Sequence, residues 1–479
     1  MSTALDERPP EAAAEHNSPL YANRVRVYPK AVAGRFRRLK WIVLIMALAI
    51  YYVLPWIRWD RGPDGPRQAV LADMGHARFY FFWIEIWPQE VYYLTGLLLL
   101  GALGIFMASS LVGRAWCGYA CPQTVWTDLF MWIERRIEGD RNQRMKRDAA
   151  RLSLDKAWRK VAKHAVWLIV AAATGGAWIM YFIDAPTVVP QMMRGESSLQ
   201  TYFFFGLFTA TTYLLAGWAR EQVCTYMCPW PRFQSAMLDE DSFIVSYRTD
   251  RGEPRGKLGK AAGDCIDCRQ CVAVCPTGID IRDGLQMECI GCGLCADACD
   301  DVMGKIDRPL GLIAYDTERN KRSRAAGMPT AARLFRPRTV LYGALFVLIA
   351  GIMLWSVVFR STLDLNVLHE RSPLYVTLSD GRIRNGYTVK ILNMTRETRT
   401  FSLALPGQPA AEIQVVGQEA REGDVVELQG RPDSVATYRV YVTMPREIKD
   451  GTDIVFAIAD KAHSDKVAMK ESVFRAPVR

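Results

Sequence analysis

The last 180 residues of this 479-residue chain contain no cysteine. All twelve cysteines lie between Cys117 and Cys299 in repeated short-spaced groups, which fits metal ligation better than a disulfide framework. Histidine is scarce: the five are scattered, and no Cys-x-x-Cys-His haem attachment occurs. No Gly-x-Gly-x-x-Gly fingerprint precedes a helix, so a bound dinucleotide has no support. The start also lacks a cleavable signal, because residues 1–40 are polar and basic with no small-residue cleavage site after an early apolar core. The first apolar block, from Trp41, is therefore read as a membrane span that stays in the protein.

Half of the residues are hydrophobic, yet the mean hydropathy is near zero. Apolar blocks alternating with polar domains give that combination, and the length suits two or three domains. The net charge of +10 does not signal a nucleic-acid surface, because the basic residues gather beside the apolar blocks. Five such blocks are residues 41–57, 91–112, 164–183, 201–219 and 339–359. Each approaches the ~20 residues a helix needs to cross the hydrocarbon core. Residues 24–40 hold seven basic side chains and no acidic one, and residues 319–338 repeat that count. Residues 117–163 hold eleven basic against six acidic, whereas 58–90 hold four against five and 184–200 only Arg194 as a base. The alternation places the N-terminus inside and the C-terminus outside a bacterial cytoplasmic (inner) membrane. Every cysteine is then on or near the cytoplasmic side, where thiols stay reduced. The basic stretch from Arg135 to Lys163 reads as a topology signal.

After Arg360 the pattern changes to short runs of period two. Strands are expected at 387–391, 401–405, 413–416, 425–428, 437–442, 454–458 and 467–474. Seven short strands in ~110 residues suggest an immunoglobulin-like β-sandwich, here without the cysteine pair of antibody domains. The expected architecture is a multidomain membrane protein: an N-terminal cytoplasmic segment (1–40), a transmembrane region with four spans (41–237), a cytoplasmic ferredoxin-type α+β domain (238–338), a fifth span (339–359) and a periplasmic sandwich (360–479).

Two cysteine runs carry the ferredoxin reading. Cys265, Cys268, Cys271 and Cys275 follow the spacing x2, x2, x3 with Pro276 next, and Cys289, Cys292, Cys295 and Cys299 repeat it. This is the bacterial two-cluster pattern, in which the fourth cysteine of each run reaches the other cluster. Cys265, Cys268, Cys271 and Cys299 then hold one [4Fe–4S] cluster, and Cys289, Cys292, Cys295 and Cys275 the other. Zinc competes, but it favours separated pairs or mixed Cys and His, and no His is near. Asp300 stands where the second run often has Pro.

The remaining four cysteines form two matching pairs, Cys117-x3-Cys121-Pro122 and Cys224-x3-Cys228-Pro229, each directly after an apolar block. A spacing of four places both sulfurs on one helical face, and Pro then interrupts or redirects the helix. Equal punctuation after two blocks suggests an internal repeat, which can bring its sites together. Buried small residues at helix ends explain one pair; two matching pairs favour function. Four thiolates could bind a soft ion such as Cu(I) or cycle between dithiol and disulfide. Met192, Met193, Met74 and His76 are weaker candidate donors, better read as loop residues.

The segments Trp87–Glu90, Trp116–Trp126, Ile133–Asp140 and Leu378–Tyr387 resemble the CcoG/FixG/RdxA family, and the resemblance runs from about Tyr28 to the end. It implies an accessory protein for assembly of cbb-type cytochrome c oxidase that reduces Cu(II) to Cu(I), with the eight ferredoxin cysteines as cluster ligands and Cys117, Cys121, Cys224 and Cys228 as the membrane pairs. The implied partners are membrane lipid, copper ions, oxidase subunits, copper-delivery factors and an unidentified electron donor, with no nucleic acid. A quinol dehydrogenase, similar to membrane ferredoxins of periplasmic nitrate reduction, is the alternative enzyme, and a non-catalytic assembly scaffold is the third reading. The tail with its Leu378–Tyr387 segment separates the first from the second.

Overall fold

Among the described residues, five helices are long and apolar enough to cross a membrane: Arg35–Trp56, Pro88–Val112, Leu154–Met180, Leu199–Ala219 and Pro337–Val358. Many of their apolar side chains are exposed, as Leu98 (75%) and Val347 (69%) illustrate, which suits lipid surroundings. The computed structural model describes residues 26–62, 65–257, 263–417, 425–463 and 466–477. The first 25 residues of the expected N-terminal segment lie outside the described residues.

Two helices begin earlier than hydropathy suggests. The first includes the basic run Arg35–Lys40, and the third starts at Leu154, not His164. Lys, Arg and Ala are good helix formers, so the helix continues past the apolar boundary. Ser153 caps the third helix by accepting the Lys156 amide at 3.2 Å. A three-stranded antiparallel sheet (Val70–Asp73, Arg78–Phe81, Ile84–Ile86), unforeseen in the sequence, fills the connection between the first two spans. Its strands of three or four residues offer too few alternations to read.

Two compact units form, residues 1–351 and 352–479. The second is a two-sheet antiparallel sandwich. One sheet orders Glu412–Val415, Ser434–Met444, Ile383–Asn393 and Leu363–His369, and the short Val376–Thr377 also pairs with Ile383–Asn393. The other orders Val425–Gly430, Arg399–Ala404, Thr452–Asp460 and Val467–Phe474. Inward residues alternate along the strands, so Tyr387, Val389 and Ile391 share a dry core with Phe401, Phe456 and Phe474. The Leu378–Tyr387 segment folds as a turn and strand that pin the two sheets. Asn385 accepts the Arg475 amide and donates to the Arg475 carbonyl, both at 2.8 Å, and the Tyr387 hydroxyl donates to Val473 at 3.0 Å. The seven expected strands are present; Leu363–His369 and Val376–Thr377 are additions.

Candidate functional site

The two ferredoxin runs fold alike. In the first, Asp267 and Arg269 take left-handed backbone angles (φ 51° and 53°); in the second, Gly291 and Gly293 occupy the same positions with φ 66° and 72°. Each pair flanks the second cysteine of its run, so the backbone wraps it the same way twice. Glycine at 291 and 293 has a further reason. A Cβ on Gly293 would stand 2.8 Å from the Phe36 ring, and one on Gly291 3.2 Å from the Arg114 carbonyl carbon. The second run is thus pressed against the membrane half of the unit.

Cysteines of the two runs are brought together in the packing. Five cysteines from both runs, Cys271, Cys275, Cys289, Cys292 and Cys295, line one small cavity with the apolar walls Val245, Ile279 and Ile281. Burial pushes the Cys289 thiol up to about 12, and the sulfurs of Cys292 and Cys275 push the same way. Burial likewise raises Cys299 to about 12, reinforced by Cys271, Cys268 and Cys265. Soft sulfur donors gathered from both runs in apolar surroundings suit the tetrahedral iron of clusters. Asp300 does not form a loop: the helix Leu294–Lys305 runs through it, and its carboxylate accepts the Gly311 amide at 2.8 Å.

The two membrane pairs also share a geometry, though not the helical face expected. Cys117 is helical within Ala115–Tyr119, whereas Cys121 is extended (ψ 128°) ahead of the helix Pro122–Glu138. Cys224 lies in the π-helical turn Val223–Met227, whereas Cys228 is extended (ψ 121°) ahead of Pro229. The residue before a proline is driven out of the α region, so each pair straddles a helix break instead of lining one face. The repeat itself stands, because both pairs break at the same point.

The four thiols converge. Burial pushes Cys117 up to about 12, followed by the neighbouring sulfurs of Cys121, Cys224 and Cys228. Cys224 is raised to about 12 by burial, then by Cys121 and Cys228. Cys117 donates to Gln234 Oε1 at 3.0 Å, and Gln234 in turn donates to Ser109 at 3.1 Å. Such thiols are protonated at neutral pH, and a soft metal ion binds by displacing the protons. Among the described residues, no three His, Cys, Asp or Glu side chains already close round a single ion position. The four are near neighbours, not a finished coordination shell.

The thiol site is not separate from the ferredoxin runs, as its distance along the chain suggests. Cys117 and Cys224 pack against the apolar cluster of Val274, Ile290, Cys292, Leu294 and Ala298. Gly118 makes this possible: a Cβ there would sit 2.9 Å from the carbonyl oxygens of Ile290 and Gly291 and 3.0 Å from the Cys292 Cα. Next to it, the Tyr119 hydroxyl donates to the Cys292 carbonyl at 2.9 Å. Arg114 donates to the carbonyls of Met287, of Cys289 (3.1 Å) and of Pro231 (2.9 Å), tying both halves together. From the first span, the Phe36 and Arg37 amides donate to Asp297, between Cys295 and Cys299, at 3.2 and 2.7 Å. That carboxylate caps the helix start, satisfying two orphan amides.

Sequence reasoning missed these clamps, although Arg114 and Tyr119 lie beside the first pair. It also read Arg135–Lys163 as a topology signal alone, whereas part of it is buried ion pairing. Glu134 lies 2.5 Å from Arg144, 2.9 Å from Arg220 and 3.6 Å from Lys163. Burial alone would raise Glu134; Arg220, Arg144 and Lys163 overcome it and hold the carboxyl at about 2. Arg220, itself strained at φ 37°, opens the turn that carries Cys224, so Glu134 anchors that turn. The weaker candidates sit elsewhere: His76 pairs with Asp73 at 2.7 Å, and Met74 and Met193 are exposed.

Comparison with known proteins agrees with this architecture. Residues 219–318 match the family described as a 4Fe-4S dicluster domain, residues 94–139 a 4Fe-4S binding domain, and residues 353–477 the IG-like fold at the C-terminal of FixG. The chain is 48% identical over 480 residues to the nitrogen fixation protein FixG of Rhizobium meliloti, covering 92% of each chain. It is 46% identical to protein RdxA of Cereibacter sphaeroides, over 90% of this chain and 92% of the relative. Protein RdxB of the same organism is also 46% identical, over 94% and 96%. On these matches and the five apolar helices, the chain belongs to the FixG/RdxA family of membrane-type iron–sulfur electron-transfer proteins.

Proposed function

We propose that this protein reduces Cu(II) to Cu(I) at the thiol site formed by Cys117, Cys121, Cys224 and Cys228, for copper insertion into a cbb-type oxidase. The observation that carries the reading is that Cys117 and Cys224 pack against the apolar cluster containing Cys292, with Gly118 seated on the Cys292 backbone. Two donor sets are assigned to resident clusters: Cys265, Cys268, Cys271 with Cys299, and Cys289, Cys292, Cys295 with Cys275. When bound, two [4Fe–4S] clusters supply one-electron chemistry, the stoichiometry of Cu(II) reduction. The four membrane thiols favour the reduced product, because Cu(I) is soft and prefers thiolate over water. The FixG-type sandwich supports this reading over a quinol dehydrogenase, as the tail separates the two.

Full-length protein purified without oxygen, reduced chemically and freed of reductant, is the test. Cu(II) added to it should appear as Cu(I), trapped by a Cu(I)-specific chelator, in proportion to the clusters oxidised. Oxidation of the clusters by other acceptors with no Cu(I) formed would overturn the reading.

The sidedness is part of the proposal, with the ferredoxin domain cytoplasmic and the sandwich periplasmic. It follows from the flanking charges. A reporter active only outside the cytoplasm should work when fused after Arg360 and fail when fused near Arg255. Activity in the reverse order would exclude the assignment.

A further inference from the structure

Gln234 is a neutral polar side chain beside the thiol site, buried to 1% exposure. It sits on the helix Trp230–Met237, which follows the second cysteine pair, yet its amide touches the first pair. That helix is fixed on two sides. The Trp230 and Phe106 rings stack with centroids 6.2 Å apart, which ties it to the second span. From the fifth span, Arg338 donates to the Ala236 carbonyl at 3.1 Å. An amide buried this deeply is costly unless its two ends are satisfied. Here Oε1 accepts from the Cys117 thiol at 3.0 Å, and Nε2 donates to the Ser109 hydroxyl at 3.1 Å. Ser109, on the second span, is equally buried at 1% exposure.

The chain from Cys117 through Gln234 to Ser109 also works in reverse. A carboxamide has an acceptor and a donor of nearly the same shape, and half a turn about its last bond exchanges them without needing new space. A serine hydroxyl either donates or accepts. A thiol donates through its S–H, whereas a sulfur bonded to a metal ion has no hydrogen left and only accepts. We propose that Gln234 is the positioning residue of the thiol site: it holds Cys117 through Oε1 while the site is empty and through Nε2 once a soft metal ion is bound, with Ser109 reversing its role in step. The proposal rests on the reading that the membrane thiols take copper, and it names the residue that readies Cys117 for the ion. The proton displaced from Cys117 passes to solvent. A hydrogen bond to an ionised sulfur is stronger than one from a neutral thiol, so the amide favours the loaded site over the empty one.

Gln234→Leu keeps most of the bulk and removes both hydrogen bonds, and Ser109→Ala removes only the far partner. Full-length proteins are prepared without oxygen and their iron content is measured first. Infrared difference spectra are then taken between the empty and the Cu(I)-loaded protein. An S–H stretching band that vanishes on loading and is missing from Cys117→Ser belongs to Cys117. In Gln234→Leu this band should move to higher frequency, as an S–H bond does when it loses its acceptor. Cu(I) affinity, measured by competition with a Cu(I)-specific chelator, should fall about tenfold, the order expected from the difference between a charged and a neutral hydrogen bond. Ser109→Ala should lower the affinity by less, and the double variant should be no weaker than Gln234→Leu, because the chain is already cut. Parent affinity in Gln234→Leu overturns the proposal. So does a lower affinity with an unmoved band, which marks a packing role. If Gln234→Leu loses iron or fails to fold, Ser109→Ala decides, since it acts on Cys117 only through Gln234; parent affinity there refutes the relay. A parent protein whose Cu(I) affinity is unchanged by Cys117→Ser would instead refute the copper reading on which the proposal rests.

Discussion

Cys289→Ser is expected to lower the iron content from about eight to about four per chain, because one ligand of a four-iron centre is lost. The second run is also the part of the ferredoxin domain pressed on the membrane half, through Gly118, Tyr119 and Arg114. Cluster binding and folding are coupled, so this loss should loosen that contact as well. Anaerobic iron and sulfide analysis, with limited proteolysis near Arg114, reads both effects. Cys265→Ser should lose a similar amount of iron from the other set while disturbing the contact less, since the first run does not supply the carbonyls that Arg114 and Tyr119 hold. Full iron in Cys289→Ser would remove Cys289 from the ligand set.

Gly118→Val should have the second large effect. A Cβ at 118 meets backbone, not a movable side chain, at 2.9–3.0 Å, so the Cys117 helix and the Cys292 loop must separate. Overpacking of this kind costs about 1–3 kcal/mol. More tellingly, it acts between the two sets of sulfurs while altering neither. The variant should keep its iron and its cluster potentials, yet reduce Cu(II) at least tenfold more slowly. Retention of the parent rate would show that close packing at Gly118 does not matter to electron transfer.

How much of this was legible in the sequence depends on the length of the signal. Eight cysteines at two identical spacings and five apolar blocks are long patterns, and they led directly to a ferredoxin-type domain and a five-helix membrane region. The sandwich was read from alternation, and residues such as Tyr387, Val389 and Ile391 do face one core. The errors were local. Helix ends shifted because basic residues extend the first and third helices beyond the apolar blocks. The thiol pairs break across proline, since the residue before Pro is excluded from the helix that a spacing of four suggests. The packing of Cys117 and Cys224 against the apolar cluster around Cys292 joins residues far apart in the chain and leaves no periodic trace. The same holds for Arg114 and Glu134, whose burial is a property of packing; in sequence they are ordinary flanking charges.

The central claim is that electrons leave the ferredoxin domain through the four membrane thiols to copper. Its most direct measurement is the rate at which Cu(II) oxidises pre-reduced clusters, followed optically in rapid mixing, in the parent and in the Cys121→Ser/Cys228→Ser double variant. This exchange removes two soft ligands with little change of volume. Full iron content with oxidation slowed at least tenfold, and less Cu(I) retained by the protein, is the predicted result. Oxidation at the parent rate would contradict the claim, because the thiols would then lie off the electron path; loss of iron would contradict it differently, by making these cysteines ligands of a cluster.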